Sequence, residues 1–231
     1  GFTGITSTGA VTTALNVNSN QLGNATGGLV AYTLANSGTL TGISTSGTTT
    51  AAVSISTNDF RGITYSLAST GSHTYISLSN ASSNTANVNN NTFTNLNVNT
   101  TGSVTFITRS SNMTATGVEN CKDNSIVTAF NKGGAGGTVT FYGANASSVA
   151  GSVMTETGNN FSNVTVTGAT TIAGWSNTEG GAPTKTITGN TFSTIVGGTS
   201  AVTVMNVNFS GAGTLVSGNT ISNISTTAVS G

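Results

Sequence analysis

The chain has 231 residues, and only ten of them are charged, five of each sign. About a quarter of an ordinary globular chain is charged, and a net charge of zero leaves no electrostatic basis for binding nucleic acid or an anionic membrane surface. The apolar runs are a few residues long, which excludes a transmembrane helix and membrane insertion by one.

What replaces the charge is Thr, Ser, Asn and 31 Gly, while 35% of the residues remain hydrophobic, many of them Val, Ile and Phe. Thr, Val, Ile and Phe suit a pleated surface and Asn and Gly mark its turns, so the composition points to strands. In chain order the same short pattern returns: Asn, any residue, Phe, Ile or Leu, two residues, then an apolar one. It stands as "NQLGNA" from Asn20, "NDFRGI" from Asn58, "NTFTNL" from Asn91 and "NSIVTA" from Asn124. It continues as "NNFSNV" from Asn159, "NTFSTI" from Asn190 and "NTISNI" from Asn219, at spacings of 38, 33, 33, 35, 31 and 29 residues. The opening "GFTGI" fits the frame without its Asn. Between these motifs lie alternating stretches such as "HTYISLS" (73–79), "GSVTFIT" (102–108), "GTVTFYG" (137–143) and "AVTVMNV" (201–207). Alternation over four to seven residues bounded by Gly, Asn and Ser predicts short strands, about three per unit.

A propeller blade needs four antiparallel strands in roughly 40–50 residues, and a sandwich needs hairpin turns. A coil of three short strands per turn accommodates the unit length and absorbs its variation in one loop region. The expected fold is therefore an all-β parallel β-helix, or β-solenoid, of about seven turns of 29–38 residues, forming a single domain over residues 1–231. Within each unit the apolar positions two and five after the Asn do not alternate, which predicts a backbone bend between them. Stacking the units places Phe60, Phe93, Ile126, Phe161, Phe192 and Ile221 in one internal column. It places Asn58, Asn91, Asn124, Asn159, Asn190 and Asn219 in another, where each amide both donates and accepts along the axis. Asn also tolerates the left-handed conformation that a sharp corner demands.

This repeat pattern, over nearly the whole chain, resembles the right-handed parallel β-helix superfamily, which includes pectin-degrading enzymes, phage tailspikes and many bacterial surface proteins. The resemblance implies a right-handed coil and leaves two roles open, a structural shaft and a carbohydrate-active or glycan-binding surface. Carbohydrate-cleaving members use clusters of Asp with Arg or Lys on an outer face. Here the acids, Asp59, Glu119, Asp123, Glu156 and Glu179, are scattered. Asp59 beside Arg61 reads as a solvent-facing pair. "GVENCKDN" (117–124) brings Glu119, Cys121, Lys122 and Asp123 together and reads as a charged loop rather than a metal site.

His73 reads as a strand start with no partner in sequence to orient it as a base. Cys121, the only cysteine, reads as a buried small hydrophobe. "NKGGAGGTVT" (131–140) lacks the ending of a phosphate loop and reads as a turn. Trp175 is placed in a long polar loop, where it could stack on a sugar. Ten Asn-x-Ser/Thr sites, among them Asn24, Asn99, Asn145 and Asn208, matter only if the protein is secreted through a glycosylating compartment. The pairs Thr138/Thr140, Thr165/Thr167 and Thr186/Thr188 sit at different offsets from the repeat Asn, so they do not make the single row that binding ice would need.

No cofactor, metal or catalytic cluster is expected. Both ends of the sequence fall inside a repeat, so further turns, from the same chain or a neighbouring copy, are expected to continue the stack. The resulting expectation is a structural, extracellular or cell-surface β-solenoid, the shaft of an adhesin or fibre, with itself, glycans or cell surfaces as partners. A carbohydrate-active helix is the alternative and an ice-binding protein the third reading.

Overall fold

The computed structural model describes residues 1–24, 26–48, 51–65, 67–81 and 84–227. The chain winds as a parallel β-solenoid, visiting three sheets in the same order in every unit. Sheet 1 takes Phe2–Ser7, Leu40–Thr48, His73–Ala81, Val104–Arg109, Thr138–Ala144, Thr171–Asn177 and Met205–Val207. Sheet 2 takes Ala14–Asn16, Ala52–Ser56, Thr85–Asn89, Val118–Lys122, Val153–Thr157, Thr184–Thr188 and Leu215–Ser217. Sheet 3 contains Gln21–Leu22 and Val30–Tyr32, then Asp59–Tyr65, Thr92–Val98, Ser125–Ile126 with Phe130–Lys132, Val164–Val166, Thr191–Gly197 and Thr220–Thr226. Every registered strand pair is parallel, as a coil that always advances in one direction requires. Seven strands on each path make six steps along the axis, about 29 Å at the spacing of paired strands.

The repeat motif is the corner between sheets 2 and 3. The residue just before each motif Asn adopts positive φ: Ser19, Thr57, Asn90, Asp123, Gly158, Gly189 and Gly218. The left-handed residue is thus the neighbour of the ladder Asn and not the Asn itself, a correction to the expectation. A second left-handed residue sits four places after the Asn in five units, at Gly62, Asn95, Asn163, Thr194 and Asn223. It supplies the bend that puts positions two and five on the same inward side. In the unit of Asn124 this strand is instead split into Ser125–Ile126 and Phe130–Lys132.

The corner leaves the Asn side chain pointing along the axis into the coil, where Asn58, Asn91, Asn124, Asn159 and Asn190 are fully buried. Each Oδ1 accepts two bonds from the Asn of the preceding turn. For Asn91 these come from the backbone N and the Nδ2 of Asn58, both at 3.0 Å. Each Nδ2 donates forward to the next Oδ1 and back to a carbonyl of the previous turn; Asn91 reaches Asn124 Oδ1 and Ile55 O, both at 2.9 Å. The same set recurs at Asn124, Asn159 and Asn190 and ends on Asn219. Asn20 joins at the other end, donating from N and Nδ2 to Asn58 Oδ1. The backbone donor at the corner and both amide protons are thereby satisfied without water, the condition for burying an amide.

Inside, the side chains stack in columns. Phe60, Phe93, Ile126, Phe161 and Phe192 are all buried, and Phe60 stacks on Phe93 with ring centroids 5.3 Å apart. Ile221 pairs in register with Phe192 but is 50% exposed. Its strand pairs on one side only among the described residues, so no further turn covers it. Phe106 and Phe141, from sheet 1, interleave with this column.

Two substitutions probe the corner. Asn91→Ala removes an acceptor used by two donors and a donor used by two acceptors, all buried; an unsatisfied buried group costs about 1–3 kcal/mol. The expected loss is roughly 3 kcal/mol or more, read as a lower denaturation midpoint. Thr57 is a β-branched residue at φ 58 with an exposed side chain. Thr57→Asn places a residue that tolerates this conformation, and is expected to raise stability by about 1 kcal/mol.

Candidate functional site

Six of the ten charged side chains are inside the coil: Arg109, Glu119, Lys132, Glu156, Glu179 and Lys185 are each at most 2% exposed. Glu119 is not in a charged loop. It is the second residue of the sheet 2 strand Val118–Lys122, where alternation turns Glu119 and Cys121 inward, Lys122 to a partly exposed position and Asp123, just beyond, to solvent. Asp123 and Glu119 therefore never converge. Trp175 likewise leaves the loop expected for it. It lies in the sheet 1 strand Thr171–Asn177, fully buried, with its ring stacked on Tyr142 at 4.6 Å.

Five of these charges form one network at the corner between sheets 1 and 2. Arg109 ends its strand facing inward and forms ion pairs with Glu119 and Glu179. Its register neighbour Ala144, one turn on, is small enough to let the guanidinium extend to Glu179, 70 residues away in sequence. Glu179 also accepts backbone bonds from Ala146 N (3.1 Å) and Ser148 N (3.0 Å). Tyr142 donates its hydroxyl to Glu119. Glu156 accepts from Trp175 Nε1 at 2.5 Å and from Asn177 Nδ2. Lys185 Nζ donates to the carbonyls of Glu179 (3.0 Å) and Asn208.

Two cations and three carboxyls share this space, so near neutral pH the balance of charge turns on the protonation of Glu156. Burial, with Glu119 nearby, pushes Glu156 up to about 7; with Glu156 neutral the network balances at two charges of each sign. Burial also raises Glu119, against the opposing pull of Arg109, and raises the Cys121 thiol, which stays protonated as a core residue. A buried pair of this kind is weak evidence of net stabilisation, whereas removal of one partner is costly.

Lys132 stands apart. It occupies the column between Val98 and Val166 of sheet 3. Its ammonium is wrapped by the glycine-rich turn, donating to Thr100 O (2.6 Å), Gly134 O (2.5 Å) and Gly136 O (2.7 Å). Burial lowers its pKa to about 8. The turn read as a failed phosphate loop thus closes around a cation supplied by the chain itself.

His73 begins its sheet 1 strand and is 1% exposed. Its Nε2 meets the Tyr65 hydroxyl and its ring stacks against Tyr65. Asp59 and Arg61 form an ion pair at the surface of sheet 3, each partly exposed.

The outside of the coil is therefore nearly without charge: Asp59, Arg61, Lys122 and Asp123 are the charged side chains that reach solvent. The three Thr-x-Thr pairs fall on three different sheets. Sheet 1 carries a different row that the repeat reading missed. Thr3, Thr41, Thr74, Thr105 and Thr140 are register partners on its outer face. The row stands in the sequence as "TGIT", "TGIS", "TYIS", "TFIT" and "TFYG", where two inward residues in the middle break a strict alternation.

The buried histidine gives a pH dependence. Burial lowers its pKa from an ordinary 6.5 to about 4, so the unfolded chain takes up the proton first. The stability it contributes is complete above pH 6.5 and is lost as the pH falls through about 4, on the order of 3 kcal/mol in all. Glu156, with its raised pKa, slopes the opposite way between its unfolded value and about 7. The His73 share is therefore read as the difference between wild type and His73→Phe in denaturant midpoints from pH 7 to pH 4; the wild type is expected to lose ground against the variant.

Comparison with protein-family models, with curated proteins and with solved structures returns no match, so functional inference rests on the geometry of this chain alone.

Proposed function

We propose that the chain is a structural β-solenoid, the shaft of an extracellular adhesin or fibre, related in architecture to the right-handed parallel β-helix proteins of bacterial surfaces. The observation that carries this reading is the placement of its acids. Glu119, Glu156 and Glu179 are consumed inside the coil by Arg109, Tyr142, Trp175, Asn177 and backbone donors. Glycoside cleavage calls for two carboxyls about 5–10 Å apart on either side of a bond, and Asp59 on sheet 3 is held in an ion pair with Arg61. The unbroken Asn ladder ties each turn to the next along the axis, which suits an element that bears load lengthwise. An outer surface of hydroxyls and amides with little charge lets turns and neighbouring rods approach without repulsion. Stacking end to end is the self-association that such an axis permits.

The test combines electron microscopy with sedimentation over a range of concentrations. Rods that lengthen in steps of one protomer are expected; a compact monomer at every concentration would sink the end-to-end version. Release of reducing ends from a polysaccharide panel, lost in Asp59→Asn, would replace the shaft with the carbohydrate-active reading.

A further inference from the structure

The outer face of sheet 3 carries two shallow clefts that meet. One, of about 450 Å³, is lined by Thr64, Tyr65, Asn97, Val98, Asn99, Asn131 and Gly133. The other, of about 360 Å³, is lined by Asn24, Thr26, Gly28, Gly62 and Asn95, and shares Thr64 and Asn97 with the first. The shared residues make one groove that runs parallel to the axis across four turns, about 14 Å at three strand spacings. Its volume lies in the range of roughly 300–1,000 Å³ found for small-molecule sites.

We propose that this groove binds a segment of a neutral polysaccharide chain. Its walls are amides: Asn24, Asn95, Asn97, Asn99 and Asn131. Asn131 Nδ2 donates to Asn97 Oδ1 at 3.0 Å, which fixes that pair across the turns. Asn24 Oδ1 is held by Thr26 N and Gly27 N, and Asn95 Oδ1 by the Thr128 hydroxyl. Asn24, Asn95 and Asn97 thus have their oxygens engaged, while their Nδ2 groups donate to no protein acceptor among the described residues. A row of oriented amide donors matches the hydroxyls of a sugar chain, each of which accepts as well as donates.

One plane in the groove is aromatic. The Tyr65 ring is half-buried, stacked on Tyr32 with centroids 4.4 Å apart, and its hydroxyl is held by His73. With Val98 it gives the cleft a rigid apolar wall, against which the C–H groups of a sugar ring can pack at little cost in side-chain entropy. Gly28 and Gly62 open the floor beside it, since a Cβ on either would strike the other's backbone. The charge pattern selects among glycans. No cationic side chain lines the groove; the Lys132 ammonium beneath it is turned inward onto three carbonyls, and Arg61 is paired with Asp59. Uronate polymers would find no counter-charge here, and a neutral chain needs none.

This inference is independent of the shaft reading, because a monomer suffices for it. Protein made in a host that does not glycosylate Asn keeps Asn24 and Asn99 unmodified. Isothermal titration with cello-, xylo-, manno- and malto-hexaose, and with a hexagalacturonate, is the measurement. At least one neutral hexaose is expected to bind, more tightly than the acidic one. Asn97→Leu, on an exposed position, is expected to weaken that binding about tenfold or more, while Thr105→Val on sheet 1 leaves it unchanged. Circular dichroism and melting temperature verify that both variants fold. No binding of any neutral hexaose at millimolar concentration overturns the proposal. A preference for hexagalacturonate overturns it as well, and so does a binding loss that follows Thr105 in place of Asn97.

Discussion

The structure hangs on one bond pattern, an amide oxygen that accepts both the backbone and side-chain protons of the Asn one turn below. That geometry works only if successive turns keep the same spacing and the same phase at the corner. Each Asn in the interior of the ladder is fixed by four bonds, two through Oδ1 and two through Nδ2. The neighbouring left-handed residue sets the corner angle, and the second bend four residues on returns the chain to an inward-facing apolar position. With the corner held in register, the three sheets inherit their pairing from it. Variation in unit length, from 29 to 38 residues, is then absorbed between corners.

Each inward column position packs against its register neighbours one turn above and one turn below. Where all are apolar the column is simple, as with Phe60 and Phe93. Where one is charged, the turns on either side must answer it. Arg109 faces inward because Ala144 leaves space and Glu119 and Glu179 supply charge. Glu156 faces inward because Trp175 and Asn177 present donors from sheet 1. Such a network fixes which turn stacks on which, since a slip of one unit would strand buried charges. Otherwise similar repeats are thereby made distinguishable.

The same arrangement leaves only four of the ten charged side chains at the surface. What remains outside is a patterned set of hydroxyls on sheet 1 and amides on sheet 3, on a scaffold whose rigidity does not depend on them. The proposed axial role and the proposed sugar-binding flank are compatible on these terms. The ladder and the core hold the rod, and the outer rows are available to vary with little effect on it.

How much was legible in the sequence follows from the range of the interactions. The period, the three-strand unit, the parallel coil and the inward-facing Phe at the corner can be read because each repeats a local pattern, and repetition stands in for distance. Ile221 shows the limit of that reading, since its burial depends on a turn above it and not on its own motif. Glu119 and Trp175 were misplaced for a related reason. Local polarity suggested a loop, while their partners, Arg109 and Tyr142 or Glu156, come from other turns. Charge burial is decided by a partner's position in space, and the Arg109–Glu179 contact spans 70 residues. The sheet 3 groove is likewise a property of stacking, assembled from Asn24, Asn97 and Asn131 in separate turns. By itself the sequence determined the period, the coil and the corner, because those are local and repeated. The tertiary structure alone decided which charges are neutralised inside and which amides face outward together, because both depend on neighbours a full turn or more away.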